Sequence, residues 1–379
     1  MKREVASGGS FRLVRLTPPG RGAIATLLVE GPGAQETVGT LLHMPGGRTL
    51  GSVPWDGLAV GHFGSFQGEE VVVRCRCPES VEIHCHAGHA AIAKIEATLA
   101  ARGGRTVSWQ DWTLDCDPDP IVAAARLALA RARTERTALL LLDQLCGALR
   151  RTIDRIVQLL TANKVLLASR ELDDLLRRAP FGLHLTDPWH VVLAGPPNVG
   201  KSSLINALVG YQRAIVHDLP GTTRDVVTAT TAVEGWPVEL SDTAGLCESG
   251  HPIEQAGIAL GRQKMAGADL LILVFDSSQP WSDSQQALLG AWPEAVVVHN
   301  KCDLLQWPGK RPGGMAISAL TGEGIEALVH VIATRLVADP PPPGAAIPFD
   351  ATQIGRLRAA HQALAHGDIP GAIDLLTGI

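Results

Sequence analysis

No run of about 18 uncharged apolar residues occurs anywhere in these 379 residues, so no membrane-spanning helix is expected. The first residues, MKREVASGGSFRLV, lack the apolar core that directs secretion, and a cytoplasmic location is the expectation. Paired cysteines are missing too: seven, an odd number, are scattered along the chain, which argues against a disulfide framework and suits a reducing compartment. Nor is there an excess of one charge. With a formal net charge of -5 and a pI near 6.2, nothing draws the whole chain to a polyanion, so a nucleic-acid contact would need a local basic face. What is plentiful is apolar side chain, 46% of the residues, enough for the cores of two or three domains.

From Phe11 to about Thr113 the runs GAIATLLVE, GLAVGHFG, EVVVRCRC and VEIHCHAG, broken by PPGRG, EGPG and MPGG, read as strands and turns of a small α+β domain. Residues 121–180 lack glycine except Gly147 and lack proline until Pro180. Their leucines recur at helical spacing (Leu139, Leu142, Leu145, Leu149), which fits two or three helices. Beyond them HVVLAG, DLLILVF, AVVVHN and GMAIS alternate with helix-length polar stretches, the pattern of a mostly parallel sheet with helices on both faces. DPPPPGAAIP reads as a stiff linker, and Asp350 to Ile379 as a helix with a short helical tail. No internal repeat is visible.

The segment Gly195 to Ser202, GPPNVGKS, follows a strand and opens the helix SSLINALVG, the setting that a phosphate loop requires. Gly195, Asn198, Val199, Gly200 and Ser203 would bring backbone N–H groups to the phosphates, and Lys201 would place its charge on the β and γ oxygens. The Ser202 hydroxyl would bind magnesium. In DLPGTTRD, Thr223 is the candidate for a second hydroxyl ligand of magnesium, sensing the γ-phosphate. DTAG ends the next strand, so that Asp242 can hold magnesium and the Gly245 N–H can reach the γ-phosphate. NKCD, Asn300 with Lys301 to Asp303, ends a further strand where a carboxylate can accept two guanine N–H donors. Adenine offers no such pair, and an unpaired Asp303 would reject it by roughly 10⁴. Ser318, Ala319 and Leu320 stand where a backbone N–H would meet the guanine oxygen. The order of these motifs implies a GTP- and GDP-binding, GTP-hydrolysing α/β P-loop domain.

One expected residue is missing. Many GTPases orient the attacking water with a glutamine just after the DxxG glycine, but here that position is Leu246. Glu254, in HPIEQAGI, is the nearby carboxylate; as an isolated residue it reads first as a carboxylate on a solvated helix surface.

The segments AIVHDLPGTTRDVV, DTAGLCESGHPIEQAGI, TPPGRGAIA and VEIHCHAGHAAI together resemble the tRNA-modifying GTPases called MnmE or TrmE. The resemblance is strong over the nucleotide domain and recognisable at the N-terminus. It implies an N-terminal folate-binding-like α+β domain at 1–117, a helical domain at 118–188 and 344–379, and a GTPase domain at 189–338 inserted in the latter. It implies a homodimer, a flavoprotein partner, tRNA as substrate, and tetrahydrofolate as one-carbon carrier for carbon 5 of the wobble uridine. By the same resemblance Glu254 positions water and is catalytic together with Lys201 and Thr223. Asn198 and Thr222, with the backbone of His217 and Leu219, hold potassium, and Arg21, His86 and Gly88 line a folate pocket. A monovalent cation could stabilise transition-state charge where no arginine is supplied, a role worth roughly 10³ to 10⁵ in rate when an arginine fills it.

This chain also departs from the family. IDLLTGI stands where the family has a Cys-Ile-Gly-Lys motif, and no cysteine follows Cys302. CPES replaces a Gly-Glu-Asp, His86-Ala87-Gly88 replaces His-Gly-Gly, and DCDPDP replaces a longer polar segment. These changes fall on the folate and tRNA side, which keeps open an alternative: a regulatory or ribosome-assembly GTPase that has lost the modification chemistry.

Two further clusters stand out. Cys75, Cys77, His84, Cys85, His86 and His89 have metal-binding chemistry, but neighbours in a strand point to opposite faces, so only Cys75 and Cys77, or His84 and His86, would share a side, and they are read as strand residues. Residues 121–188 hold eleven Lys/Arg against seven Asp/Glu, with Arg126, Arg131, Arg133 and Arg136 expected on one helix, as a solvated face or an RNA contact.

Overall fold

The computed structural model describes residues 11–211 apart from 19 and 21, 228–242, 263–304 apart from 264, and 309–379. The chain forms two compact units that divide between Pro118 and Asp119.

The first unit runs β1 (Arg12–Arg15), β2 (Ile24–Glu30), α1 (Ala34–Leu41), β3 (Leu42–His43), β4 (Leu58–Phe63), β5 (Glu69–Cys77), β6 (Ser80–His86), α2 (His89–Ala100), β7 (Arg105–Val107) and α3 (Trp109–Cys116). Its seven strands make one sheet in the order β3-β4-β5-β6-β2-β1-β7. All pairs are antiparallel except β1 with β7. Alternation does the sorting: Val81, Ile83 and Cys85 point to the core shared with Val38 of α1 and Ile92, Ile95 and Leu99 of α2, while Glu82, His84 and His86 point the other way. Cys75 and Cys77 differ in burial. The register slips between them where β5 meets β6, so Cys75 is buried and Cys77 exposed.

The second unit opens with four helices, α4 (Pro120–Leu129), α5 (Glu135–Leu145), α6 (Ala148–Thr161) and α7 (Val165–Leu183). That exceeds the two or three expected, because the breaks are very short: Gly147 and Asn163 adopt left-handed φ of 89° and 57° and reverse the chain with little punctuation in the sequence. Pro180 ends nothing; it lies in the last turn of α7. Leu149, Ile153, Ile156 and Leu160 line one buried stripe of α6, but Leu139 and Leu142 of α5 are exposed. The four arginines expected on one helix are dispersed, since α4 ends at Leu129. Arg131 pairs with Asp187, and Arg136 lies over the Trp236 ring and donates to the Glu234 carbonyl.

There follow β8 (Trp189–Ala194), α8 (Lys201–Tyr211), β9 (Thr228–Val233), β10 (Trp236–Asp242), β11 (Leu270–Asp276), α9 (Asp283–Ala291), β12 (Val296–Asn300), β13 (Met315–Ala316), α10 (Ile325–Leu336), α11 (Ala351–Ala365) and α12 (Ile369–Thr377). The sheet order is β13-β12-β11-β8-β10-β9, parallel throughout except for the edge pair β10–β9. All seven residues of β11 are buried. Ile272 and Val274 share a core with Leu204 and Leu208 of α8 and Leu328 and Ile332 of α10. Leu271, Leu273 and Phe275 pack on the opposite side with Leu288 and Trp292. Such two-sided burial explains why the strand reads as an unbroken apolar run.

The returning segment before α11 is held by α5. The buried Gln144 side chain donates to the Ala345 carbonyl at 2.9 Å and accepts from the Ile347 N–H at 3.1 Å, and Asp143 accepts from Gly344 N–H. Asp350 then caps α11 by accepting from the N–H groups of Thr352 and Gln353. Among the described residues, no helix is long and apolar enough to cross a membrane.

Candidate nucleotide site

In the parallel sheet β8 lies between β10 and β11, so the chain moves off to opposite sides of one strand, and ligands of such sheets bind outside the carboxyl ends at that reversal. The described polar residues of the motifs fall at those ends. Ala194 of β8 leads into the 195–200 loop, Asp242 ends β10, Asp276 ends β11 and Asn300 ends β12.

The loop is shaped by three positive φ angles, 150° at Gly195, 61° at Asn198 and 92° at Gly200. Glycine is required twice: a Cβ on Gly195 would strike the Val274 carbonyl, and one on Gly200 the Asn300 side chain. Turns of this hand aim N–H groups at a common centre, beside the N-terminus of α8. Lys201, the first residue of α8, is buried. Its ammonium donates to the carbonyls of Gly195 at 3.1 Å and Pro196 at 3.0 Å and lies 4.0 Å from Asp242 Oδ1. Ser202 donates from Oγ to Asp242 Oδ2 at 3.0 Å, so one buried carboxylate meets both side chains. Ser203 is exposed on the first turn of α8 and Val199 is buried beneath the loop.

Asn300 locks the loop to the far side of the site. Its Nδ2 donates to the Val199 carbonyl at 2.8 Å and its Oδ1 accepts from Ala319 N–H at 3.0 Å. Lys301, at φ 64°, donates from Nζ to the Asn198 carbonyl at 2.8 Å and to Asp276 Oδ2 at 2.6 Å. Burial pushes the Asp276 carboxyl up, but hydrogen bonds from Lys301 and Ser278 outweigh it and leave the group below the ordinary carboxylate range. Asp276 is a site residue that the motifs do not mention. Its one signal is an acid closing the apolar run DLLILVFD, in register with Asn300.

Cys302 N–H donates to the Ile317 carbonyl at 3.0 Å, pinning the two segments that would flank a base. Ser318 is fully buried and its Oγ accepts from Thr321 N–H, whereas Asp303 and Leu320 are exposed at the mouth. Thus the structure brings together Gly195, Asn198, Val199, Gly200, Lys201, Ser202, Asp242, Asn300, Lys301, Ser318 and Ala319. His217, Leu219, Thr222, Thr223, Gly245 and Glu254 lie outside the described residues, as does Arg21. His86 and Gly88 belong to the first unit. His86 ends β6, exposed, with Nδ1 at 2.6 Å from Glu69 Oε1, and Gly88 precedes α2.

A parallel sheet with a lysine-bearing glycine loop at its reversal point, an aspartate beside the loop serine and an Asn-Lys pair behind it defines a P-loop GTPase. A family model described as "50S ribosome-binding GTPase" matches residues 190–301. Over nearly the whole chain there are closer likenesses. The tRNA modification GTPase MnmE of Chloroflexus aurantiacus is 34% identical over 413 aligned positions, covering 95% of this chain and 90% of that protein. MnmE of Synechococcus sp. CC9605 is 34% identical, covering 84% and 79%, and MnmE of Nitratidesulfovibrio vulgaris DP4 is 32% identical, covering 85% and 80%. This chain belongs to the MnmE family.

Proposed function

We propose that this GTPase works on tRNA, coupling GTP hydrolysis to modification of carbon 5 of the wobble uridine. The observation that carries the hydrolytic half is the trio Lys201, Ser202 and Asp242 under the glycine loop. The Ser202 and Asp242 oxygens lie at the spacing of neighbouring ligands around one small hard cation, which suits magnesium. When bound, magnesium neutralises charge that develops on the β and γ oxygens. Lys201 adds its own charge there, already buried and held by two carbonyls, so little reorganisation is needed at the moment of reaction. Thr223 completes the magnesium set in this reading, and Glu254 orients the attacking water in place of the missing glutamine. Asn198 and Thr222, with the backbone of His217 and Leu219, would hold potassium; faster turnover in potassium than in sodium is the expected mark of that ion. Asp303, exposed at the mouth, would pair with guanine, and the exposed Leu320 would lie against it.

The tRNA half draws on relatives matched over most of both chains. It carries with it a homodimer, a flavoprotein partner and a tetrahydrofolate derivative held near Arg21, His86 and Gly88, and work in the cytoplasm. A regulatory or ribosome-assembly role is the second reading, favoured by the description of the family model over residues 190–301 and by the sequence departures on the folate and tRNA side. Mass spectrometry of wobble uridines decides between them in a host lacking any relative of this protein, complemented with the wild type or with Glu254→Ala. Restoration of the carbon-5 group by the wild type alone is expected. No restoration by the wild type, with GTP hydrolysis intact, would refute the tRNA role and leave the assembly reading.

A further inference from the structure

The arginines of this chain gather somewhere other than the stretch where the sequence crowds them. Helices α6 and α7 and the returning segment at 342–346 bound an open groove of about 870 Å³, into which Arg151, Arg155, Arg170 and Arg178 project together with Glu171 and Asp174. Both carboxylates are already engaged. Glu171 takes two hydrogen bonds from Arg155, at 2.9 and 2.6 Å, and Asp174 pairs with Arg177, which does not line the groove. Arg151 donates to the Cys146 carbonyl at 2.7 Å and Arg178 to the Ala346 carbonyl at 3.2 Å, contacts that orient a guanidinium without cancelling its charge. Arg170 is exposed and makes no ion pair among the described residues. A chain of net charge -5 therefore carries a groove with three uncompensated guanidinium groups.

We infer that this groove grips the phosphate backbone of RNA. Guanidinium forks match phosphate oxygens two at a time, and both Arg151 and Arg178 are held in position before any ligand arrives. Arg170 and Arg178 stand about 12 Å apart along α7, two turns and more, which spans several charges of a polymer and not a single small anion. A concave wall with an excess of positive charge focuses its field and raises the encounter rate with a polyanion. The inference rests on the proposed work on tRNA, and it assigns the grip to the helical face, away from the nucleotide loop.

The test is binding of a fluorescent tRNA transcript to the full-length protein across a salt series, for the wild type, Arg151→Gln/Arg170→Gln and Arg102→Gln, an exposed arginine outside the groove, with basal GTP turnover as the check on folding. The double variant should bind on the order of tenfold more weakly near physiological salt. Its slope of log affinity against log salt should fall by about 0.7 to 0.9 for each phosphate that the protein no longer neutralises. Arg102→Gln should bind as the wild type does, and all three should turn over GTP equally. Equal affinity and slope for the double variant and the wild type would overturn the assignment, leave tRNA binding standing elsewhere, and point to an acidic protein surface as the occupant. A loss as large in Arg102→Gln would also overturn it, as a general effect of surface charge. No measurable tRNA binding by the wild type would overturn both the groove and the tRNA reading beneath it.

Discussion

The two sheets of this protein handle polar residues in opposite ways. In the parallel sheet β11 is buried on both faces and has no polar group within its body, and polar residues collect where β10, β11 and β12 end, at Asp242, Asp276 and Asn300. There they interlock: Asn300 joins the glycine loop to Ala319, Lys301 joins it to Asp276, and Asp242 meets Ser202. In the antiparallel sheet every second residue faces outward, so Glu82, His84 and His86 sit along one strand with no position privileged over another. A buried polar residue needs a specific reason to exist, whereas an exposed one needs none.

The largest effect should come from the interior of the parallel sheet. Phe275→Ala removes a fully buried ring that packs edge-on against Trp281, and should cost about 3 to 5 kcal/mol in urea unfolding. A cost below about 1 kcal/mol would mean that this face is less tightly packed than its burial implies. Next, Lys201→Ala should lower kcat for GTP by roughly 10² to 10³ in a phosphate-release assay while leaving the fold intact by circular dichroism. An unchanged kcat would break the proposed division between a reactive sheet and an inert one.

A smaller effect is expected at Asp119, which caps α4 through Ile121 N–H and is held by the Arg150 guanidinium at 2.9 and 2.7 Å. Those Arg150 hydrogen bonds, against the opposing effect of burial, set its carboxyl below the usual range. A carboxyl depressed in the folded state stabilises above its unfolded value and loses that contribution as pH falls through its folded one. Asp119→Ala should therefore cost about 1 to 2 kcal/mol at neutral pH, and the gap to the wild type should close below about pH 4 in paired denaturation curves. The smallest effect belongs to the outer face of the antiparallel sheet. His86→Ala should change stability by less than about 0.5 kcal/mol and leave GTP turnover unaltered. A change in turnover would tie the two sheets together functionally; altered affinity for a tetrahydrofolate derivative, by calorimetry, would give His86 the purpose that its exposure leaves open.

What could be read in advance follows the same division. The glycine loop, the Asp242 strand end and the Asn300 strand end are legible because their residue types have few other uses at the close of a buried strand. Asp276 is harder to read because no motif surrounds it, although its partner Lys301 is part of one. In the helical region, spacing reveals that Leu149 belongs inside but does not separate it from Leu139 and Leu142, which share its spacing and face solvent. Loops as short as Cys146-Gly147 leave too little punctuation to count helices. The grouping of Arg151, Arg170 and Arg178 exists only once α6 and α7 are folded against each other.

The grip of Gln144 on Ala345 and Ile347 has a bearing on how the protein is made. Residues about 200 apart must meet before that side chain has its partners, and closing so long a loop is entropically costly unless the intervening chain is already compact. On a translating ribosome α5 emerges long before its partners are synthesised, while the whole parallel sheet is produced in between. The sheet can thus condense first and shorten the effective loop, and α11 and α12 can dock last, onto helices that have waited incomplete for the greater part of synthesis.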